Sequence, residues 1–456
     1  MTKDLTGGHP LRVILLFSFP LVLGNLFQQF YALADTIIVG QFCGVSALAS
    51  VGATSSVNYL ILGFVIGACN GFAIPIAQLF GARDLPGLRK HVANAAWLCL
   101  GGSAVLTAAT VALTRPLLTL LQTPADILDG AATYIGWIFA GIPAIFLYNM
   151  VAAIMRALGD SKTPLYFLVL TSALNIGLDL LFVIPLKMGV LGAALATDLS
   201  QVISGVGSFL YLKKHFSVLR MEKEERAFSS RACRRLLGIG APMGLQCSIT
   251  AIGSVIMQWA VNVLGSTAVA AVTAAGKTMN LLTVPLVCIC TAMATYAGQN
   301  LGASRLDRVK TGVRWALVII TVYSLAAAFI LHFADVAIMG LFLDTAAETE
   351  IVAMGRQYLF WNSVFFIPLG ALIVWRYSIQ GLGYSTLAMM AGVAEMLART
   401  GVAILLVPRL GYFGAELANP AAWIAACVFL WPAFCWTCRR LEGRLAEARR
   451  RHGEAA

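Results

Sequence analysis

Ionisable side chains stand deep inside stretches that are otherwise apolar: Asp35, Asp179 and Asp198 in the first half of the chain, and Lys277, Arg376, Glu395, Arg399 and Glu416 in the second. A charge placed in hydrocarbon is costly, so each such group is either paired or functional. Glu395 and Arg399 stand one helical turn apart, a spacing that predicts an internal ion pair. Asp35 and Asp179 have no cation in their own half placed to neutralise them. Asn175 and Asp179, at i and i+4, share a helix face, and Thr197 enters from the next helix just after a glycine-rich close-packing segment. Two carboxylates, an amide and a hydroxyl make an oxygen site for a hard cation such as Na+, or a proton acceptor; the same groups also suit structural hydrogen bonding.

The elements that position these groups follow from composition. Of 456 residues 59% are hydrophobic and only 12% charged, far from the balance of an ordinary soluble domain. Each crossing of a bilayer takes about 20 apolar residues, so the chain has room for about twelve transmembrane helices. Apolar segments lie at 13 to 38, 46 to 80, 91 to 114, 130 to 157, 164 to 186 and 190 to 212. A second set lies at 236 to 263, 268 to 300, 313 to 334, 354 to 379, 385 to 407 and 411 to 437. The first run ends in Ala32-Leu33-Ala34, which resembles a cleavage site, but it is too long for a signal peptide's apolar region and contains Asn25, Gln28 and Gln29, so it is read as a retained span. The expected organisation is a first lobe over 1–212, a linker over 213–235, a second lobe over 236–438 and a basic tail over 439–456.

The formal net charge of +11 is carried mostly by alternate connections. Arg83, Arg89 and Lys90 occupy one; Arg156 and Lys162, the linker, then Arg305, Arg308 and Lys310, and finally the tail from Arg439 follow. The intervening connections hold only Arg115, Lys187 and Arg409 as clear basic positions, and Asp335, Asp344, Glu348 and Glu350 cluster in one of them. Positive-inside asymmetry puts both termini and the linker in the cytoplasm and makes the chain a multi-pass protein of the cell membrane. A nucleic-acid partner is not expected from charge distributed in this way.

The halves echo each other at a shift of about 222 residues. Gly189-Val190-Leu191-Gly192-Ala193-Ala194-Leu195-Ala196 is repeated as Gly411-Tyr412-Phe413-Gly414-Ala415-Glu416-Leu417-Ala418, and Pro20 as Pro242. Ala77-Gln78-Leu79-Phe80-Gly81-Ala82 returns as Gly298-Gln299-Asn300-Leu301-Gly302-Ala303. The fold class expected is an all-α integral membrane protein of about twelve helices in two six-helix lobes, related by a pseudo-twofold along the membrane normal.

With these residues in view, the chain resembles the multidrug and toxic compound extrusion (MATE) family of transporters from about Leu11 to Trp436. The residues that carry the resemblance are Pro20 with Asp35, Gln78-Leu79-Phe80-Gly81-Ala82, Arg156-Ala157-Leu158-Gly159-Asp160, Asn175 with Asp179, Thr197, and Gly298-Gln299-Asn300-Leu301-Gly302-Ala303. The resemblance implies an ion-coupling site at Asp35, Asn175, Asp179 and Thr197, with Gln29, Tyr134 and Asn149 as polar neighbours and Pro20 as the point where the first helix bends. Ala152, one turn beyond Asn149, stands where some relatives carry an amide. Met257 stands opposite Asp35 in the second half, which concentrates the ion chemistry in the first.

The function expected is a secondary antiporter, acting as a monomer in the lipid bilayer, that exports small organic amphipathic or cationic compounds against an inward Na+ or H+ gradient without a cofactor. A flippase for lipid-linked precursors would call for more Lys and Arg deep in the spans. An intramembrane enzyme would need a nucleophile and base pair that is not visible. No phosphate-binding loop is present, and His91, His215 and His332 form no cluster, so ATP hydrolysis and metalloenzyme chemistry are not expected. The ten cysteines show no disulfide or zinc spacing and read as small packing residues. Pro75, Pro143, Pro285 and Pro368 are expected to bend helices, and the tryptophans to anchor or pack rather than build a drug cage.

Overall fold

A computed structural model describes residues 3–340 and 349–451. Among them there is no strand, and ten helices are long and apolar enough to cross a membrane; counting each of two bent helix pairs as one span gives twelve. The first half comprises α1 (Pro10–Ile38), α2 (Val45–Gly81), α3 (Leu85–Leu120), α4 (Ala125–Ala140), α5 (Ile142–Ala157), α6 (Lys162–Val183) and α7 (Gly189–His215). The second comprises α8 (Ser230–Asn262), α9 (Ser266–Gly302), α10 (Leu306–Met339), α11 (Thr349–Val364), α12 (Phe366–Gly381), α13 (Ser385–Gly401), the short α14 (Val407–Leu410) and α15 (Tyr412–Glu416), and α16 (Ala418–Arg451). Most expected apolar segments lie within a single helix; the fourth and tenth fall on bent pairs, those at 164 to 186 and 236 to 263 overrun the ends of α6 and α8 by one to three residues, and the last two are each divided among shorter helical pieces, α13 to α14 and α15 to α16.

The bent pairs are α4 with α5, at 47°, and α11 with α12, at 50°. Pro143 and Pro368 sit in the first turn after each break, where a missing N–H leaves no intrahelical bond unmade. The internal repeat is also visible in backbone detail. Gly44 and Gly265, at φ 87° and 98°, open α2 and α9 in a conformation that an L side chain rarely adopts. Helices α2 and α9 end in matching caps, with Arg83 and Ser304 both at φ 58° and the Ala82 and Ala303 N–H groups donating to Gln78 and Gln299 carbonyls.

The chain forms two compact units that differ from the lobes drawn on the sequence. One holds Phe19–Gly244 with the segment ending at Leu5; the other holds Thr6–Ser18 and the chain from Leu245 onward. The linker and the first turns of α8 therefore belong with the first unit, and the first turns of α1 with the second. The boundaries fall beside Pro20 and just after Pro242, the two prolines inside these helices.

Small residues explain why the start of α8 sits in the first unit. Gly67 and Gly71 of α2 face Gly240 and Gly244 of α8, a pair of G-x-x-x-G stripes meeting face to face. A Cβ on Gly71 would lie 2.4 Å from Gly240 Cα, and one on Gly67 2.6 Å from the Met243 carbonyl oxygen. Backbone cannot move aside as a flexible side chain can. The second unit holds the chain start by charge and ring contact: Arg305 donates to the Thr6 carbonyl at 2.9 Å, Arg308 to those of Gly7 and Gly8 at 3.1 and 2.9 Å, and His9 packs edge-on against Trp315.

Gly71→Leu should lower the thermal unfolding midpoint of the purified protein by several degrees, the overpacking costing about 1–3 kcal/mol or more. Gly101→Leu on α3, whose Cβ would meet nothing within 4 Å, should leave it unchanged. Equal midpoints for the two variants would show that the α2–α8 contact is not as tight as described.

Candidate functional site

Helices α1, α6 and α7 bring the predicted group together in the first unit. Asp179 and Asn175 are 0% and 1% exposed on α6. The orientation of the Asn175 amide that satisfies every partner has its nitrogen donating to Asp179 Oδ2 at 2.8 Å, while its oxygen accepts from the Thr197 hydroxyl at 3.2 Å and the Thr197 backbone N–H at 3.1 Å. The amide thus locks the carboxylate to α7. Asp35 of α1 completes the group, its carboxyl within hydrogen-bonding reach of that of Asp179.

Two carboxyls can share a hydrogen bond only when one of them carries a proton to donate; with both ionised, a bound cation must bridge them instead. One oxygen on each, Asp35 Oδ1 and Asp179 Oδ1, is buried without a hydrogen-bond partner. No ion pair among the described residues involves either carboxylate. Free acceptors converging without a cationic side chain fit a proton or a hard cation better than a structural salt bridge.

Tyr31 also belongs here, although the sequence reading passed over it. Its hydroxyl reaches the Thr197 side chain, and it stands one helical turn before Asp35, a spacing that could have flagged it. Tyr134 of α4 is buried within electrostatic reach of Asp35, Tyr31, Asp179 and Asp198. Asn149 turns back to donate to the Ile145 carbonyl of its own helix at 2.8 Å, and Gln29 is exposed on α1. The structure joins neither to the Asp35–Asp179 group by a hydrogen bond. Asp198 packs against Gly141, at the break between α4 and α5, where a Cβ would lie too close to its carboxylate to be accommodated.

A π-helical turn, Val39–Cys43, follows Asp35 by one turn, and another, Val402–Leu406, follows Arg399. Such turns often mark functional sites in helices. In the second unit the predicted Glu395–Arg399 pair is present at 3.9 Å, but Arg376 of α12 is the closer partner of Glu395. Sequence spacing cannot reveal a partner from another helix. Lys277 is exposed. Glu416 is buried with both carboxylate oxygens unpartnered, near Tyr358, which accepts from Asn419 at 2.9 Å. Of the acidic group expected outside the spans, Asp335 pairs with Arg356 at 2.6 Å, while Asp344 and Glu348 lie outside the described residues.

The remaining repeat motifs do structural work. Arg156 donates to Asn70 at 3.0 Å, and Asp160 accepts from the Lys162 and Thr163 N–H groups at 3.0 Å, starting α6. Gln78 accepts from Arg235 at 2.8 Å, and Asn300 from Arg308 at 3.0 Å.

A bundle of about twelve spans, repeated in two halves and holding a buried carboxylate pair, defines a multi-pass membrane transporter. The MatE family profile matches residues 20–181 and 242–405, so the chain belongs to that family. It is 32% identical over 385 residues, 83% of this chain and 84% of the relative, to "Probable multidrug resistance protein YpnP" of Bacillus subtilis (strain 168). Among solved structures it is similar to "Crystal structure of MATE in complex with MaL6", with a TM-score of 0.88 and 26% identity, covering 98% of this chain and 100% of that one. It is equally similar, with the same score and identity over 96% and 98% of the two chains, to "Outward-facing conformation of a multidrug resistance MATE family transporter of the MOP superfamily".

Asn175→Ala, which strips a partner from a buried carboxylate, should slow efflux from proteoliposomes about 10- to 100-fold, since a hydrogen bond to a charged group contributes about 1.5–3 kcal/mol. Tyr31→Phe removes a neutral bond of about 0.5–1.5 kcal/mol and should cost about two- to tenfold. The reverse order of severity would contradict the geometry.

Proposed function

We propose that the chain is a secondary antiporter that exports small amphipathic, often cationic organic compounds against an inward Na+ or H+ gradient, with Asp35 and Asp179 binding the driving cation. The observation that carries this reading is two neighbouring carboxyls, each with a buried unpartnered oxygen, and no ion pair to either among the described residues. The names of the relatives, which speak of multidrug resistance, support the substrate class. A cation held at the pair favours whichever facing state brings the carboxylates together, and that differential affinity is what shifts the population of the two states. Pro20 lies between the part of α1 that packs in the second unit and the part that carries Asp35, so a change of bend there would move Asp35 relative to Asn175, Asp179 and Thr197.

A second reading, export of an anionic organic compound, rests on two buried guanidinium groups, Arg376 and Arg399, gathered around the single carboxylate of Glu395 in the second unit. Competition between cationic and anionic compounds for efflux separates the two.

Reconstituted in proteoliposomes under separately imposed Na+ and pH gradients, the wild-type protein should move substrate under at least one. Asp35→Asn, which keeps size and hydrogen-bonding atoms but removes charge, should insert normally and lose coupled efflux under both; Asp179→Asn should do the same. Met257→Leu, at the counterpart of Asp35, should stay within about twofold of wild type, a change below 1 kcal/mol. Wild-type rates in Asp35→Asn under both gradients would make Asp35 structural.

The orientation that goes with this reading places both termini and the linker in the cytoplasm. Single cysteines at positions 187, 224 and 450 in a cysteine-free background should react with an impermeant reagent in intact cells only at 187. Labelling of 224 from outside would invert the topology.

A further inference from the structure

Apart from the carboxylate site, the first unit contains a second cavity that the transport reading does not use. It is about 810 Å³ in volume and lies among α3, α5, α7 and the linker, with walls that include Cys99, Leu100, Phe146, Leu147, Met150 and Phe209. Lys213 at the end of α7, and Arg220 and Arg226 of the linker, line the same cavity at one end, and all three side chains are exposed. Leu100 and Phe209 are exposed large apolar residues on its flank, and so is Trp97, whose indole N–H donates to the Arg226 carbonyl at 3.4 Å. A tryptophan in that posture marks the level of a membrane–water interface.

The linker that supplies two of the cations is fastened to α3 at fixed points. Arg89 donates to the Val218 carbonyl at 2.8 Å and pairs with Glu225 at 3.2 Å, while the fully buried Asn94 donates to the Ala227 carbonyl and accepts from the Ser229 N–H at 2.7 Å. The linker carboxylate that could most readily have neutralised the basic end, Glu225, is thereby committed to Arg89. The linker's other acidic residues, Glu222 and Glu224, are not among the residues lining the cavity.

We infer that this cavity is a binding site for one anionic phospholipid of the leaflet on the linker's side, its phosphate held by Lys213, Arg220 and Arg226 and an acyl chain laid against α3, α5 and α7. The charge complementarity decides the occupant. A zwitterionic lipid offers the same chains but brings its own ammonium group to three cations, and a free phosphate offers the charge but leaves the apolar walls uncovered. The bound lipid joins α7 and the linker through a common anion, which adds to the Arg89 and Asn94 attachments in holding the linker to α3. The inference does not depend on which ion drives transport or on what is carried.

The test uses the full-length protein, delipidated in detergent and titrated with dioleoyl phosphatidylglycerol or dioleoyl phosphatidylcholine, with adducts counted by native mass spectrometry. One phosphatidylglycerol adduct should form at a concentration at least about tenfold lower than the phosphatidylcholine adduct, as expected for three cations near a membrane surface. The combined variant Lys213→Gln, Arg220→Gln and Arg226→Gln should bring phosphatidylglycerol down to the phosphatidylcholine level without changing the thermal midpoint in detergent. Ala96→Trp, which places a ring in the cavity, should weaken the phosphatidylglycerol adduct while keeping the basic end intact. A cut by a glutamate-specific protease at Glu222 or Glu224 should slow when phosphatidylglycerol is added. Equal affinity for the two lipids, retention of the preference in the triple variant, an unaffected Ala96→Trp adduct, or displacement of the lipid by millimolar inorganic phosphate would each overturn the inference.

Discussion

Within hydrocarbon no water is available to solvate a carboxylate, and an unpartnered buried charge costs more than one or two ordinary contacts can return. Asp35 and Asp179 are held together under that condition with no cationic side chain paired to them. Under the proposed function, a proton or a cation from solution supplies the positive charge that no side chain provides there. Asn175 fixes Asp179 to α7, Thr197 is engaged by both Asn175 and Tyr31, and Tyr134 closes the group from α4. A lysine or arginine in the same place would give a stable ion pair and remove the need for an ion from solution.

The two halves solve the same burial problem in different ways. In the second unit Glu395 is answered by Arg376 and Arg399 from the protein itself, while Glu416 is buried with both carboxylate oxygens unpartnered. The first half leaves Asp35 and Asp179 without a cationic partner and the second pairs Glu395 but not Glu416, although the backbones share repeated caps, repeated glycine starts and a repeated bent span. A duplicated scaffold has thus kept its geometry while its polar chemistry diverged. The proline-bearing helices α1 and α8 each divide their length between the two units.

Most of the fold was legible because the pattern is coarse: long apolar runs separated by charge can hardly be anything but spans. The helices extend beyond those runs, as α3 does through Pro116 to Leu120 and α16 does through its basic tail, because a helix need not stop where the apolar run does. Asp35, Asn175, Asp179 and Thr197 were readable because intramembrane polar residues are few and the i,i+4 spacing of Asn175 and Asp179 fixes a shared face. Arg376 as the main partner of Glu395 was not readable, since it arrives from a separate helix. Chain order puts the start of α8 in the second lobe, while Gly67 and Gly71 against Gly240 and Gly244 pack it on α2 in the first unit. Gln29 and Asn149 came from the resemblance alone, and the structure places one exposed and the other bonded within its own helix.

We propose that the Asp35–Asp179 pair, when no other coupling cation occupies it, holds a proton that Na+ or a rise in pH removes. Infrared difference spectroscopy on the reconstituted protein reads this directly, because a protonated carboxyl has a carbonyl stretch that an ionised one lacks. Raising the pH or adding Na+ at fixed pH should remove such a band in the wild type, and the change should be absent in Asp35→Asn and in Asp179→Asn. A wild-type protein with no protonated-carboxyl band under any condition, or a band whose loss survives both substitutions, would contradict the account.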